Sequence, residues 1–229
     1  MELYPAVDVR GGRIARSATT DDPLAAARAF ARDGARWVHF VDLDRAAGTG
    51  ENRALTRRFL TATTGLHVQV GGALASDAAI AELLEWGATR VVIGALAATD
   101  PALVERLLAR HGATRLAVAI DARDGRVAPR GSELTLPLTP LELAERVRTA
   151  GARTVIYTDA ARDGMLAGPD VEGARAIAAL GLEVIASGGV ASLADLRRLR
   201  EAGLAGAIVG RALFDGRFTL AEALACVAA

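Results

Sequence analysis

The sequence of 229 residues has a single cysteine, Cys226. One thiol cannot close an internal disulfide, so the fold has to rest on its core, and this usage suits a reducing cytoplasm. Net charge is lacking too, because 27 basic and 27 acidic residues cancel. No global field favours nucleic acid, an acidic lipid surface or a cationic partner, and any anion must be held locally. The three histidines, His39, His67 and His111, lie far apart without metal-ligand spacing. Each is expected to be structural or exposed, with no metal bound. No apolar run is long enough to span a bilayer, and Met1-Glu2-Leu3-Tyr4-Pro5-Ala6 has no basic region followed by an apolar core. A cytoplasmic protein with no membrane attachment is the expectation. A Gly-x-Gly-x-x-Gly fingerprint is missing after the first apolar run, which sets a dinucleotide fold aside.

Hydrophobic residues are what the chain has in quantity: 52% of the sequence, with a mean hydropathy of +0.27. That suffices for one large core and one domain. Short β-rich apolar runs fall at 3–8, 37–42, 67–70, 90–93, 116–120, 154–158, 183–186 and 207–209. Most are too continuously apolar to have a solvated face, so they read as strands covered on both sides. Stretches of helical period separate them at 23–33, 52–62, 78–86, 101–111, 140–150, 171–180, 193–201 and 220–227. Asp22, Asp100 and Thr139, each before a proline, mark helix starts, and glycines such as Gly34 and Gly181 mark stops. Eight strands each followed by a helix predict the α/β class and a closed (β/α)8 barrel.

The chain also repeats itself. Ala6-Val7-Asp8-Val9-Arg10 through Ala15 reappears as Ala119-Ile120-Asp121-Ala122-Arg123 through Ala128, 113 positions later. Gly71-Gly72 is echoed by Gly188-Gly189, and Val92-Ile93-Gly94 by Ile208-Val209-Gly210. The barrel therefore reads as two similar half-barrels, roughly 1–114 and 115–229, with Asp8 and Asp121 across the mouth from each other.

Barrel chemistry takes place at the C-terminal ends of the strands, where a carboxylate closing an apolar strand points into the site. Asp8 and Asp121 are expected to close theirs. Either they serve as base and acid on opposite sides of a substrate, or they cap loops and bind neighbours such as Arg10 and Arg123. Ser187-Gly188-Gly189 after strand seven and Gly210-Arg211 after strand eight can aim backbone N–H groups at a phosphate, and residues from Arg211 can begin a short extra helix. The segment from Thr158 through Asp163-Gly164 is either a contributor to the site or a plain turn.

These residues resemble the ProFAR isomerase family of histidine biosynthesis, including dual-substrate relatives that also isomerise phosphoribosylanthranilate. The likeness spans nearly the whole chain. It is carried by Pro5-Ala6-Val7-Asp8, His39-Phe40-Val41-Asp42-Leu43-Asp44 with Asn52, Val68-Gln69-Val70-Gly71-Gly72, and Asp121 with Asp124-Gly125. It continues through Thr158-Asp159, Arg162-Asp163-Gly164, Ala186-Ser187-Gly188-Gly189-Val190 and Ile208-Val209-Gly210-Arg211-Ala212-Leu213. The resemblance implies an Amadori rearrangement of a phosphoribosyl aminoaldose; the chemistry needs no cofactor, and a monomer is the expected state. The resemblance implies Asp8 as proton acceptor, Asp121 as proton donor, and Thr158 and Asp163 as assistants. Gly72, Gly94 and Arg16 join the second-half glycines in the implied substrate-binding set.

Four departures from the family pattern stand out. Ala73-Leu74-Ala75 follows Gly72 where the family has a third glycine and then an arginine, and Ala95 stands where a hydroxyl is common. Ser132 replaces a tryptophan, and the first loop, through Arg16, is short. The readings open at this point are a ProFAR isomerase, a narrower or dual isomerase acting on phosphoribosylanthranilate, and a barrel that binds a phosphorylated ligand without turning it over.

Overall fold

The computed structural model describes residues 1–15, 20–72, 74, 76–94, 96–129 and 134–228. Among them, eight parallel strands form the barrel: β1 (Glu2–Arg10), β2 (Trp37–Asp42), β3 (His67–Gly71), β4 (Arg90–Ile93), β5 (Leu116–Arg123), β6 (Thr154–Asp159), β7 (Glu183–Ser187) and β8 (Gly206–Val209). Each pairs with the next, and the seam closes where Glu2 through Pro5 of β1 align with Gly206 through Val209 of β8. The expected (β/α)8 barrel is the fold.

The main helices are α1 (Pro23–Arg32), α2 (Arg53–Ala62), α3 (Asp77–Glu85), α4 (Pro101–His111), α5 (Pro140–Thr149), α6 (Val171–Ala178), α7 (Leu193–Glu201) and α8 (Leu220–Ala228). Their starts are chemical: Asp22 accepts from Leu24 N, Asp100 from Leu103 N, and Thr139 forms a reciprocal capping box with Glu142. Each cap satisfies an N–H that has no partner within the helix. Among the described residues no helix is long and apolar enough to cross a membrane.

Strand alternation sorts the core into two layers. On β1, Leu3, Val7 and Val9 face the helices as part of a large outer cluster, while Tyr4 and Ala6 face inward. The inner cluster joins Tyr4 and Ala6 with Val92, Ala117, Ile156, Ile185 and Ile208, so the barrel is filled. Burial on both faces explains why the strands read as unbroken apolar runs.

Two strand ends differ from expectation by more than one residue. β1 runs on to Arg10 and β5 to Arg123, so Asp8 and Asp121 do not close their strands; each lies two residues inside. The extension is held by tiny antiparallel partners, Arg13–Ile14 on Val9-Arg10 and Arg126–Val127 on Ala122-Arg123. Short helices also follow two first-half strands, at Leu43–Ala47 and Leu96–Thr99, beside the anticipated one at Arg211–Phe214.

Candidate active site

Asp8 has the parity of Tyr4 and Ala6, and Asp121 that of Ala117, so alternation turns both carboxylates to the barrel axis above the inner core. The residues at this end of the barrel enclose two adjoining lobes. One is lined by Asp8, Asp163, Ser187, Gly188, Gly189, Gly210 and Arg211. The other is lined by Gly71, Gly72, Gly94, Asp121 and Thr158. His39 and Ser187 border both. Every expected site residue within the described part thus falls on one lobe or the other; Arg16, with Ala73, Ala75, Ala95 and Ser132, lies outside the described residues.

The two lobes use the same backbone device. After β8, Leu213 N donates to Gly210 O at 3.0 Å to open the short helix Arg211–Phe214, whose first turn has no side-chain cap. After β4, Ala97 N donates to Gly94 O, also at 3.0 Å, to open Leu96–Thr99. Helix starts of this kind leave N–H groups that an anion can satisfy. The glycine turns beside them serve packing as well. Gly72 has φ +128°, and a Cβ there would stand 2.7 Å from the Asp42 carbonyl oxygen. Gly189 has φ +81°, and a Cβ there would run into the Gly168 carbonyl.

Asp163 sits on the loop after β6, and that loop is stitched to the second-half lobe. Gly168 N donates to Gly189 O at 2.9 Å, and Arg162 bonds both Asp159 (3.0 Å) and Gly168 O (3.3 Å). Arg211 reaches across to donate to Gly164 O at 2.8 Å while its Nε donates to Asp215 at 3.0 Å. The guanidinium is therefore engaged with protein groups on the Asp163 loop, which leaves the backbone N–H at the helix start as the group Arg211 offers to an anion.

His39 meets the expectation of a structural histidine and also stands at the edge of the cleft. It is buried and borders both lobes, with Nδ1 lying 3.0 Å from Gln69 Nε2. The available signal was its parity with Val41 on an inward face. His67 is exposed, and His111 Nε2 is 2.7 Å from Asp77 Oδ1.

The Asp42, Asp44 and Asn52 portion of the sequence motif is a clasp. Asn52 donates from its amide to Asp42 (2.8 Å) and Asp44 (2.7 Å), and Asp44 and Asn52 accept from Gly11 N and Gly12 N at 2.6 and 2.9 Å. These bonds anchor the turn after β1, where the first loop begins. The Asn52 amide and then the Gly11 N–H hold the Asp44 carboxyl below its ordinary range.

Comparison with known proteins agrees with this geometry. A family described as histidine biosynthesis protein matches residues 2–219. The 1-(5-phosphoribosyl)-5-((5-phosphoribosylamino)methylideneamino)imidazole-4-carboxamide isomerase of Geobacillus kaustophilus (strain HTA426) is 44% identical over 241 residues, spanning 98% of this chain and 97% of its own. Isomerases of the same name from Methylocella silvestris and Symbiobacterium thermophilum are 45% and 44% identical. The first alignment spans 100% of this chain and 98% of the relative, the second 98% and 96%. All three carry the name of the first of the three readings, and none is named for phosphoribosylanthranilate. Fold, cleft and full-length similarity together place this chain in the ProFAR isomerase family of histidine biosynthesis proteins.

Proposed function

We propose that the chain is an aldose–ketose isomerase of histidine biosynthesis that converts ProFAR, a small molecule with two phosphoribosyl arms, into its aminoketose. The observation that carries the reading is the crossed arrangement of the cleft. Asp8, from the first half of the chain, shares a lobe with the second-half glycines, and Asp121, from the second half, shares one with Gly72 and Gly94. A substrate phosphate in each lobe would lay the reacting ribose between two carboxylates in different surroundings, which is what separate acid and base roles need. Because backbone N–H groups at a helix start can hold an anion, the reading does not depend on a cation beside Gly72 and Gly94.

In this reading Asp121 protonates the ring oxygen as its bond to C1 breaks, and the amino lone pair forms the C=N bond. Asp8 then removes the C2 proton, whose electron pair becomes a C1=C2 bond and neutralises the iminium nitrogen. Protonation at C1 and loss of the C2 hydroxyl proton complete the ketose. Two protons change place, one from C2 to C1 and one from the C2 hydroxyl to the former ring oxygen, so atoms and electrons balance within the substrate. The sequence contains no lysine, all 27 basic residues being arginine, so no lysine imine to the sugar can form. Thr158, beside Asp121, and Asp163, beside Asp8, supply further hydrogen bonds.

The chain is read as one barrel domain of two like halves, since the hairpins on β1 and β5 keep the same register 113 positions apart. Both lobes come from one chain, which supports a monomer, and the single cysteine suits a cytoplasmic location. Complementation of a histidine auxotroph, with Asp8→Asn as control, tests the function, alongside conversion of ProFAR by the purified protein. Rescue by the wild type alone is expected. A folded, well-expressed chain that neither rescues nor converts ProFAR would overturn the reading, and rescue of a tryptophan auxotroph would add the second substrate.

A further inference from the structure

Inside the barrel, beneath the cleft, runs a line of polar contacts that the isomerisation steps do not use. Arg90 donates to Gln69 Oε1 at 3.1 Å, and Gln69 Nε2 lies 3.0 Å from His39 Nδ1. Gln69 is fully buried and His39 is 7% exposed. Arg90 is itself held over the Trp37 ring at 4.8 Å and reaches the Tyr4 hydroxyl at 3.5 Å. A buried line of this kind is stable only if every donor meets an acceptor.

That requirement sets the direction of each proton. A guanidinium only donates, so the carboxamide atom facing Arg90 is the oxygen, and the NH₂ is turned toward His39. An NH₂ only donates as well, so His39 Nδ1 has to accept. An imidazolium, protonated on both nitrogens, cannot do so. We infer that Gln69, oriented by Arg90, is a positioning residue that holds His39 as a neutral imidazole with its proton on Nε2. The ring then meets the substrate as a hydrogen-bond donor where the two lobes join.

The substrate part rests on the isomerase reading, in which the ribose oxygens lie between the two phosphates. A neutral donor there polarises an oxygen without competing with Asp8 for the C2 proton. Gln69→Glu is the informative change, because a carboxylate of nearly the same shape accepts from Arg90 and from His39, drawing a proton onto Nδ1.

The test is ¹⁵N NMR of the full-length protein labelled at histidine, at neutral pH, with His67→Gln and His111→Gln variants to assign the three rings. The wild type is expected to show His39 with Nδ1 bare and Nε2 protonated. In Gln69→Glu the proton moves to Nδ1 or the ring becomes charged, and kcat falls by about ten- to a hundred-fold with KM little changed. A wild-type His39 protonated on Nδ1 overturns the inference, as does a Gln69→Glu variant with an unchanged spectrum and full kcat. If that variant does not fold, the wild-type spectrum alone decides. The spectrum needs no substrate, so an inactive wild type would sink the isomerase reading and leave the tautomer standing.

Discussion

Asp8 and Asp121 carry the proposed proton transfers, and each replacement by Asn keeps the shape while removing the titrating group. Each is expected to lower kcat by about 10²–10⁴ with the melting temperature unchanged, as steady-state kinetics and calorimetry would show. The glycines divide by what surrounds them. A side chain at 189 collides with the Gly168 carbonyl, so Gly189→Asp reports on the loop's packing before any charge is felt. Among the described residues none lies within 4 Å of a Cβ added at Gly94. Gly94→Asp should therefore stay folded and lose affinity for a phosphorylated ligand by like-charge repulsion, measurable by calorimetric titration. Asp44 adds a pH effect. Its carboxyl is held low in the folded state, so its contribution to stability is present above the ordinary carboxylate range and is lost as pH falls through the lowered value. Asp44→Asn should flatten the acid side of a plot of melting temperature against pH, and an unaltered acid side would show the clasp to be dispensable.

At the scale of elements, the β6 loop is the piece that links binding to chemistry in the proposed reaction. It holds Asp163 and is tied to the β7 turn through Gly168 and Gly189 and to the β8 helix through Arg211 and Gly164. Arg211→Met cuts the second tie without touching the backbone N–H at the helix start. If the tie positions Asp163, kcat drops by about ten- to a hundred-fold while KM changes little, because misplacement of a reacting group costs rate more than affinity. A raised KM at constant kcat would instead assign the guanidinium to phosphate. The caps were legible beforehand because Asp22-Pro23, Asp100-Pro101 and Thr139-Pro140 act on their own helices. The clasp of Asp42, Asp44 and Asn52 was visible only as a motif, since Gly11 and Gly12, which it holds, lie more than 30 positions away.

The molecule as a whole depends on one seam, where β8 meets β1. A Cβ on Gly206 would stand 2.7 Å from Tyr4 Cε2 and 3.0 Å from Glu2 O, so Gly206→Val overpacks the closure. The expected cost is about 1–3 kcal/mol, seen as a melting temperature lower by roughly 2–12 °C; an unchanged melting temperature would mean the seam yields. The sequence by itself determined the barrel, because unbroken apolar runs need cover on both faces and alternate with helical stretches eight times. It also determined that Asp8 and Asp121 are equivalent, through the repeat. It misjudged where their strands stop, since the hairpins that prolong β1 and β5 are two residues long and carry no strand pattern of their own. Only the tertiary structure decided which groups share a lobe. Closure sets Ala6 of β1 against Gly210 of β8, so Asp8 belongs with the glycines of the other half, while β5 lies beside β4 and brings Asp121 to Gly94. Sequence distance holds no record of that neighbourhood, because the pairing of the first strand with the last exists only once the ring has closed.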